Sequence, residues 1–319
     1  MKKILVTGGK GMVGNALLAY VQAHPNPNHE YIFADFGDAN LCDKAQTAAM
    51  FAKYQPAGVI HLAADVGGLF KNLARNVEMF ENNVLMNINV MQCCKEFKVE
   101  KLVSFLSVCI FPELSTCPHL KLPLDETIIH QGPPHYSNEG YAFAKRLLDV
   151  QSRLYRRQFG CNFVTVAPTN AFGPHDNFSL QNSHVIPGLI RKCHAALEEN
   201  QNFVVWGSGK PLRQFIYSPD LVKLLVWVYF NYDEPEPLIL APPAEQEKSI
   251  GEIAQSIARA FGYQKPIVFD TSYSDGQFRR TVTNQKLASR YPEFRFTPLD
   301  QALQETVEWY KQNHANARL

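Results

Sequence analysis

The stretch VTGGKGMVG narrows the folds open to this chain more than any other. It sets Gly8, Gly11 and Gly14 three residues apart, directly after a β-branched run over residues 2–7 and at the head of a helical segment over residues 12–23. Glycine is needed there when a chain must turn tightly out of a strand, bring its backbone against a pyrophosphate and pack the next helix closely on that strand. Free amides and the dipole at the helix start then hold the anion. The spacing predicts a dinucleotide-binding turn lined by Gly8, Lys10, Gly11, Met12 and Gly14.

The segments that follow repeat the alternation. Residues 31–34, 58–63, 101–106 and 162–167 read as further strands buried on both faces, separated by stretches long enough for crossover helices. This predicts an α/β fold, a doubly wound parallel sheet of Rossmann type with a smaller carboxyl-terminal α/β domain. Residues 1–168 are expected to form the dinucleotide-binding domain, and residues 169–319 mainly a substrate domain. A segment near 213–240 is expected to pack back onto the first. Two late helices are marked, one by a capping box at Ser249 and Glu252, the other by Thr297-Pro298 ahead of Leu299, Leu303, Val307 and Tyr310.

Asp35 ends the second strand 21 positions after Gly14. There it would accept from a ribose 2′-hydroxyl and repel a 2′-phosphate, whereas Lys10 could pair with that phosphate. Asn40, Leu41, Leu62, Ala63 and Ala64 fall where the next loops should meet the adenine and diphosphate.

Composition removes other classes. With 31 Lys+Arg against 30 Asp+Glu, the net charge of +1 argues against a nucleic-acid partner. No apolar run is long enough to span a bilayer, and no signal peptide is expected. Seven scattered cysteines without a Cys-x-x-Cys pair, and ten histidines without His-x-x-x-His spacing, predict reduced thiols, a cytoplasmic location and no metal site.

Tyr141 is the only one of 13 tyrosines followed four residues later by lysine, Lys145. On a helix the two share a face, where a buried ammonium should favour the phenolate. Ser107 follows the fourth strand, at the sheet edge where ligands of such folds bind.

These residues together, TGGKGMVG, HLAA at 61–64, Ser107 and Tyr141-x-x-x-Lys145, resemble the extended short-chain dehydrogenases/reductases that act on nucleotide sugars. The blocks SVCIFP (107–112), PTNAFGPHDNF (168–178), SHVIPGLI (183–190), VVWGSGKPLRQFIY (204–217) and SDGQFRR (274–280) are similar to one branch of that family. Its members form homodimers that epimerise carbons 3 and 5 of GDP-4-keto-6-deoxy-D-mannose and reduce carbon 4 with NADPH. The resemblance implies that Cys109 as thiolate and His184 as imidazolium exchange the protons at carbons 3 and 5. It implies that Ser107, Tyr141 and Lys145 serve the reduction, Ser107 binding the substrate at its carbonyl oxygen, that Pro168, Asn170 and His184 also border NADP(H), and that Lys192, Trp206, Arg213 and Arg280 hold the GDP moiety. It places the dimer contact on helices near residues 73–97 and 141–159. A sibling 4-epimerase or 4,6-dehydratase is the nearest rival, although dehydratases carry Thr-Asp-Glu where this chain has Ser107-Val108-Cys109. A non-catalytic dinucleotide-sensing regulator would not need the Tyr141/Lys145 pair.

Overall fold

The computed structural model describes residues 1–319, the side chain of Phe70 excepted. The first half runs β1 (Lys2–Thr7), α1 (Met12–Ala23), β2 (His29–Ala34), α2 (Lys44–Tyr54), β3 (Gly58–His61), α3 (Leu69–Ala74), α4 (Asn76–Glu96), β4 (Lys101–Phe105), α5 (Glu139–Phe159) and β5 (Phe163–Pro168). The second runs β6 (Asn170–Phe172), α6 (Val185–Glu198), β7 (Phe203–Trp206), β8 (Leu212–Arg213), β9 (Phe215–Tyr217), α7 (Ser218–Asn231), β10 (Leu238–Leu240), β11 (Lys248–Ser249), α8 (Ile250–Phe261), β12 (Ile267–Asp270), α9 (Gln285–Arg290) and α10 (Leu299–Asn313).

Six strands form one parallel sheet in the order β10-β5-β4-β3-β1-β2. Alternate residues of each central strand feed opposite faces, because a sheet covered by helices on both sides needs apolar residues at every position. Leu5, Val59, Leu102 and Phe163 join one core with Phe51 and Met91. Ile4, Val6, Ile60, Val103 and Val164 join the other with Leu17 and Leu221. Strand β2 departs from the expected burial on both faces: it pairs only with β1, and most of its residues stay partly exposed. It is one edge of the sheet, β10 being the other.

The chain steps from β1 outward to β2, then returns past β1 to β3. That reversal opens a crevice beyond the carboxyl ends of β1 and β3. Strands β3 and β4 stop at His61 and Phe105, so Leu62–Ala64 and Ser107 emerge as loops at this same edge.

After β5 the chain alternates between two bodies. Helix α7 packs against α1, and β10 pairs with β5 to complete the main sheet. Helix α9 packs on β10 with Leu287 in the main-sheet core, and the rest gathers around α6, α8 and α10 with the two-stranded pairs β6/β9, β7/β12 and β8/β11. This body has its own core, including Phe172, Ile190, Phe203, Ile257 and Leu303. Ser249 and Glu252 make both bonds of the capping box at α8. Asp220 on α7 binds Thr297 through its amide at 2.7 Å and its hydroxyl at 3.0 Å, just ahead of α10. Among the described residues, no helix is long and apolar enough to cross a membrane.

Candidate active site

The crevice is floored by backbone. Gly8 has φ +72°, and a Cβ there would lie 2.8 Å from the Ala63 amide nitrogen; a Cβ on Gly14 would lie 2.3 Å from the Gly9 carbonyl oxygen. The β1 turn, the β3 loop and α1 therefore meet at a distance only glycine allows. Gly11 caps α1 without a side-chain hydrogen bond, and the first turn holds no acidic residue. The leading amides of α1 are left for an anion.

A cavity of about 1240 Å³ follows this edge. Every residue expected at the cofactor lines it: Gly8, Lys10, Gly11, Met12, Gly14, Asp35, Asn40, Leu41, Leu62, Ala63, Ala64, Tyr141, Lys145, Pro168, Asn170 and His184. Several that the sequence reading passed over line it too. Phe36 is 79% exposed beside Asp35, and Lys71 pairs with Asp65 at 2.6 Å. An aromatic residue directly after the acidic end of β2 was a usable signal for Phe36. Nothing local marked Asp65, Asp176 or Arg318.

Lys10 and Asp35, the two residues that pulled the cofactor preference in opposite directions, form an ion pair with each other. Asp35 also accepts from the Gly37 amide at 2.7 Å. The lysine and this amide hold its carboxyl below the usual range, and the aspartate raises the lysine in turn. The choice is therefore one of competition: a 2′-phosphate must draw Lys10 away from Asp35.

Ser107 leaves β4 and accepts the Cys109 amide at 3.3 Å, opening a short 3-10 turn over Val108–Ile110. Tyr141 and Lys145 lie one turn apart on α5, with the lysine nitrogen 5.6 Å from the centre of the tyrosine ring. Here the structure corrects an expectation. The buried ammonium donates to the Phe105 carbonyl at 2.7 Å, and burial pushes it down to about 8. Burial also drives the Tyr141 phenol upward, with the neighbouring Cys109 adding to it. Its surroundings thus drive the phenol away from the phenolate that Lys145 was expected to favour.

A second correction concerns Cys109 and His184. Burial raises the thiol, against the pull of Arg280, Ser107, Lys145 and Arg146. His184 is solvent-exposed at the cavity wall; desolvation within the crevice, with Arg318 and Lys71 adding to it, lowers its imidazole. Both shifts run against the thiolate and imidazolium that were expected, at Cys109 through burial and at His184 with neighbouring cations adding to desolvation.

A second cavity of about 310 Å³ is lined by Ser107, Cys109, Tyr141, His184, Lys192, Trp206, Arg213 and Arg280. Lys192 stands 3.2 Å over the Trp206 ring, which stacks on Tyr273 with centres 4.4 Å apart. Burial lowers Lys192 to about 8 and Arg213 to about 10, Arg280 adding to the latter. Arg280 donates to the Gln277 side chain at 3.0 Å. These three half-buried cations call for an anionic ligand. The two cavities meet at Gly67, Asn72, Ser107, Tyr141, Asn170 and His184. Lys145 opens only into the first, Cys109 only into the second. His135, Asn138 and Gln277 also line the second and were not anticipated.

Known proteins share this fold. The model of the NAD dependent epimerase/dehydratase family matches residues 4–240. The chain is 48% identical over 317 residues to GDP-L-fucose synthase of Dictyostelium discoideum, covering 99% of this chain and 98% of that one. It is 32% identical to GDP-L-fucose synthase of Escherichia coli K12, with 99% of each chain covered. A crystal structure of a GDP-L-fucose synthetase from Naegleria fowleri bound to NADP superimposes with a TM-score of 0.93 at 45% identity, covering 100% of this chain and 95% of that one.

Proposed function

The chain belongs to the NAD dependent epimerase/dehydratase family, and on that premise we propose that it is a bifunctional epimerase-reductase converting GDP-4-keto-6-deoxy-D-mannose to GDP-L-fucose with NADPH. The observation that carries this reading is the junction of the two cavities. A hydride donor on one side and a 4-keto sugar on the other would meet at Ser107, Tyr141 and His184, while Cys109 faces the sugar alone.

The glycine turn and the free amides of α1 suit the pyrophosphate of NADP(H), with Lys10 and Asp35 at its adenosine end. When bound, NADPH supplies the hydride for carbon 4. The chain's own residues manage the protons. The 4-keto group acidifies the hydrogens on carbons 3 and 5; Cys109, as thiolate, takes one, and His184 returns a proton to the opposite face. Moving the thiol proton to the imidazole leaves the net charge of the cavity unchanged, so the attraction between the two new charges offsets part of their desolvation. The surrounding Arg280, Lys145 and Arg146 favour the thiolate. After inversion, the phenol of Tyr141 gives its proton to the carbonyl oxygen, the Ser107 hydroxyl holds that oxygen, and the Lys145 ammonium stabilises the tyrosinate that forms.

Arg213 and Arg280 suit the diphosphate, and Lys192 and Trp206 its nucleoside. Residues 1–168, joined by the segment near 213–240, serve as the dinucleotide unit, and the remainder mainly as the GDP-sugar unit. Helices α4 and α5 pack side by side and expose Val77, Leu85, Leu147, Leu154 and Phe159, a face suited to a second copy in a homodimer. All seven cysteines are free, which suits the cytoplasm. Incubation with GDP-4-keto-6-deoxy-D-mannose and NADPH should consume the reduced cofactor and yield GDP-L-fucose. A product retaining the manno configuration at carbons 3 and 5 would reduce the protein to a simple ketoreductase.

A further inference from the structure

The lysines and arginines lining the substrate cavity are Lys192, Arg213 and Arg280; among the described residues only one carboxylate joins them, that of Asp275. A carboxylate in a cavity shaped for a diphosphate repels the ligand unless the ligand brings hydrogen-bond donors to it. Asp275 stands at the Trp206 side of this cavity, because its contacts are Gly207 and Ser208, the two residues that directly follow Trp206. That is the side the proposed function gives to the nucleoside.

The local backbone is shaped around this carboxylate. One oxygen of Asp275 accepts the Ser208 amide at 2.7 Å, and the other accepts the Ser208 hydroxyl at 2.7 Å. Gly207, between Ser208 and Trp206, has φ +85°, and a Cβ on it would fall 2.4 Å from Asp275 Oδ1. Each oxygen is thus fixed in place beside Trp206 and still has capacity to accept.

We infer that Asp275 reads the base, accepting from N1–H and the 2-amino group of guanine. This deepens the proposed function and rests on its GDP-sugar reading. Guanine presents two adjacent donors on that edge, adenine presents an acceptor at N1, and hypoxanthine lacks the amino group. A carboxylate answers only the first with two bonds.

Calorimetric binding of GDP, IDP, XDP and ADP tests it. Wild type should bind GDP about 10-fold tighter than IDP, since one bond to a charged acceptor is lost. Asp275→Asn should weaken GDP by about 10- to 100-fold and tighten XDP, whose 2-oxo group can accept from the new amide, while ADP changes little. Equal losses for GDP and ADP would make Asp275 a brace for the Gly207 turn or a ribose ligand and overturn the inference. So would equal binding of GDP and IDP by the wild type, a comparison that needs no variant to fold. Wild-type protein that binds none of the four would sink the GDP-sugar reading as well; base-blind binding would sink only this inference.

Discussion

The two cavities are built by different means. The cofactor side is mostly main chain: a glycine turn, the leading amides of α1 and the loops beyond β1 and β3, all hung from one sheet edge. The substrate side is side chains brought from distant parts of the chain, Ser107 from the end of β4, Tyr141 from α5, His184 from the head of α6, Arg213 from β8 and Arg280 from a loop. A main-chain site tolerates changes in side-chain chemistry but no added atom. A side-chain site tolerates small shifts in shape but not the loss of a functional group. The contrast predicts how each should fail.

The largest effect should come from Tyr141→Phe. It should cut reduction by about 10³-fold while solvent-deuterium exchange at carbons 3 and 5 continues, because other groups move those protons. Loss of exchange together with reduction, in folded protein that still binds cofactor, would merge the two half-reactions and break the division of the substrate side.

Next, Cys109→Ser and His184→Gln should each slow that exchange by about 10²-fold, measured by mass spectrometry of the 4-keto sugar without reduced cofactor. Both should keep NADPH affinity within a few-fold. Exchange at the wild-type rate in either variant would return that residue to packing.

Gly14→Ala probes the other side. The added methyl meets the Gly9 carbonyl, so NADPH binding should weaken by about 10-fold or more with GDP binding unaffected. Equal weakening of both ligands would show that the two cavities are less separate than drawn.

The smallest effect concerns the Lys10–Asp35 pair. Lys10→Ala should lower kcat/KM for NADPH by about 3- to 10-fold and leave NADH nearly unchanged; Asp35→Asn should widen the preference for NADPH. Unchanged cofactor ratios in both variants would show that the preference is set elsewhere on this side, with Phe36 and Asn40 the next residues to change.

How much of this was legible in advance follows the same divide. The glycine turn, the strand alternation and the Ser249/Glu252 capping box could be placed from residues alone, and the structure has them where spacing put them. Strand β2 was misjudged because YIFA is apolar whether it sits at the centre or the edge of a sheet. The cofactor preference looked divided because Lys10 and Asp35 lie 25 positions apart, and only folding shows that they are partners. Cys109 and His184 could be named through resemblance, but the direction in which their surroundings shift them could not. Asp275 stood in a quoted block without attracting notice, since a carboxylate becomes unusual only once three cations surround the same cavity.

The sequence by itself determined the doubly wound sheet, the edge at which ligands gather and the anion seat at α1. Each follows from short-range constraints: short apolar runs buried on both faces, the turn that only glycine allows, and unpaired amides at a helix start. Tertiary structure alone decided which charges neutralise one another, in which direction burial drives the Tyr141 phenol and which carboxylate joins the three cations of the second cavity. Those outcomes depend on desolvation and on Coulomb interactions falling off with distance through space, and position along the chain carries neither.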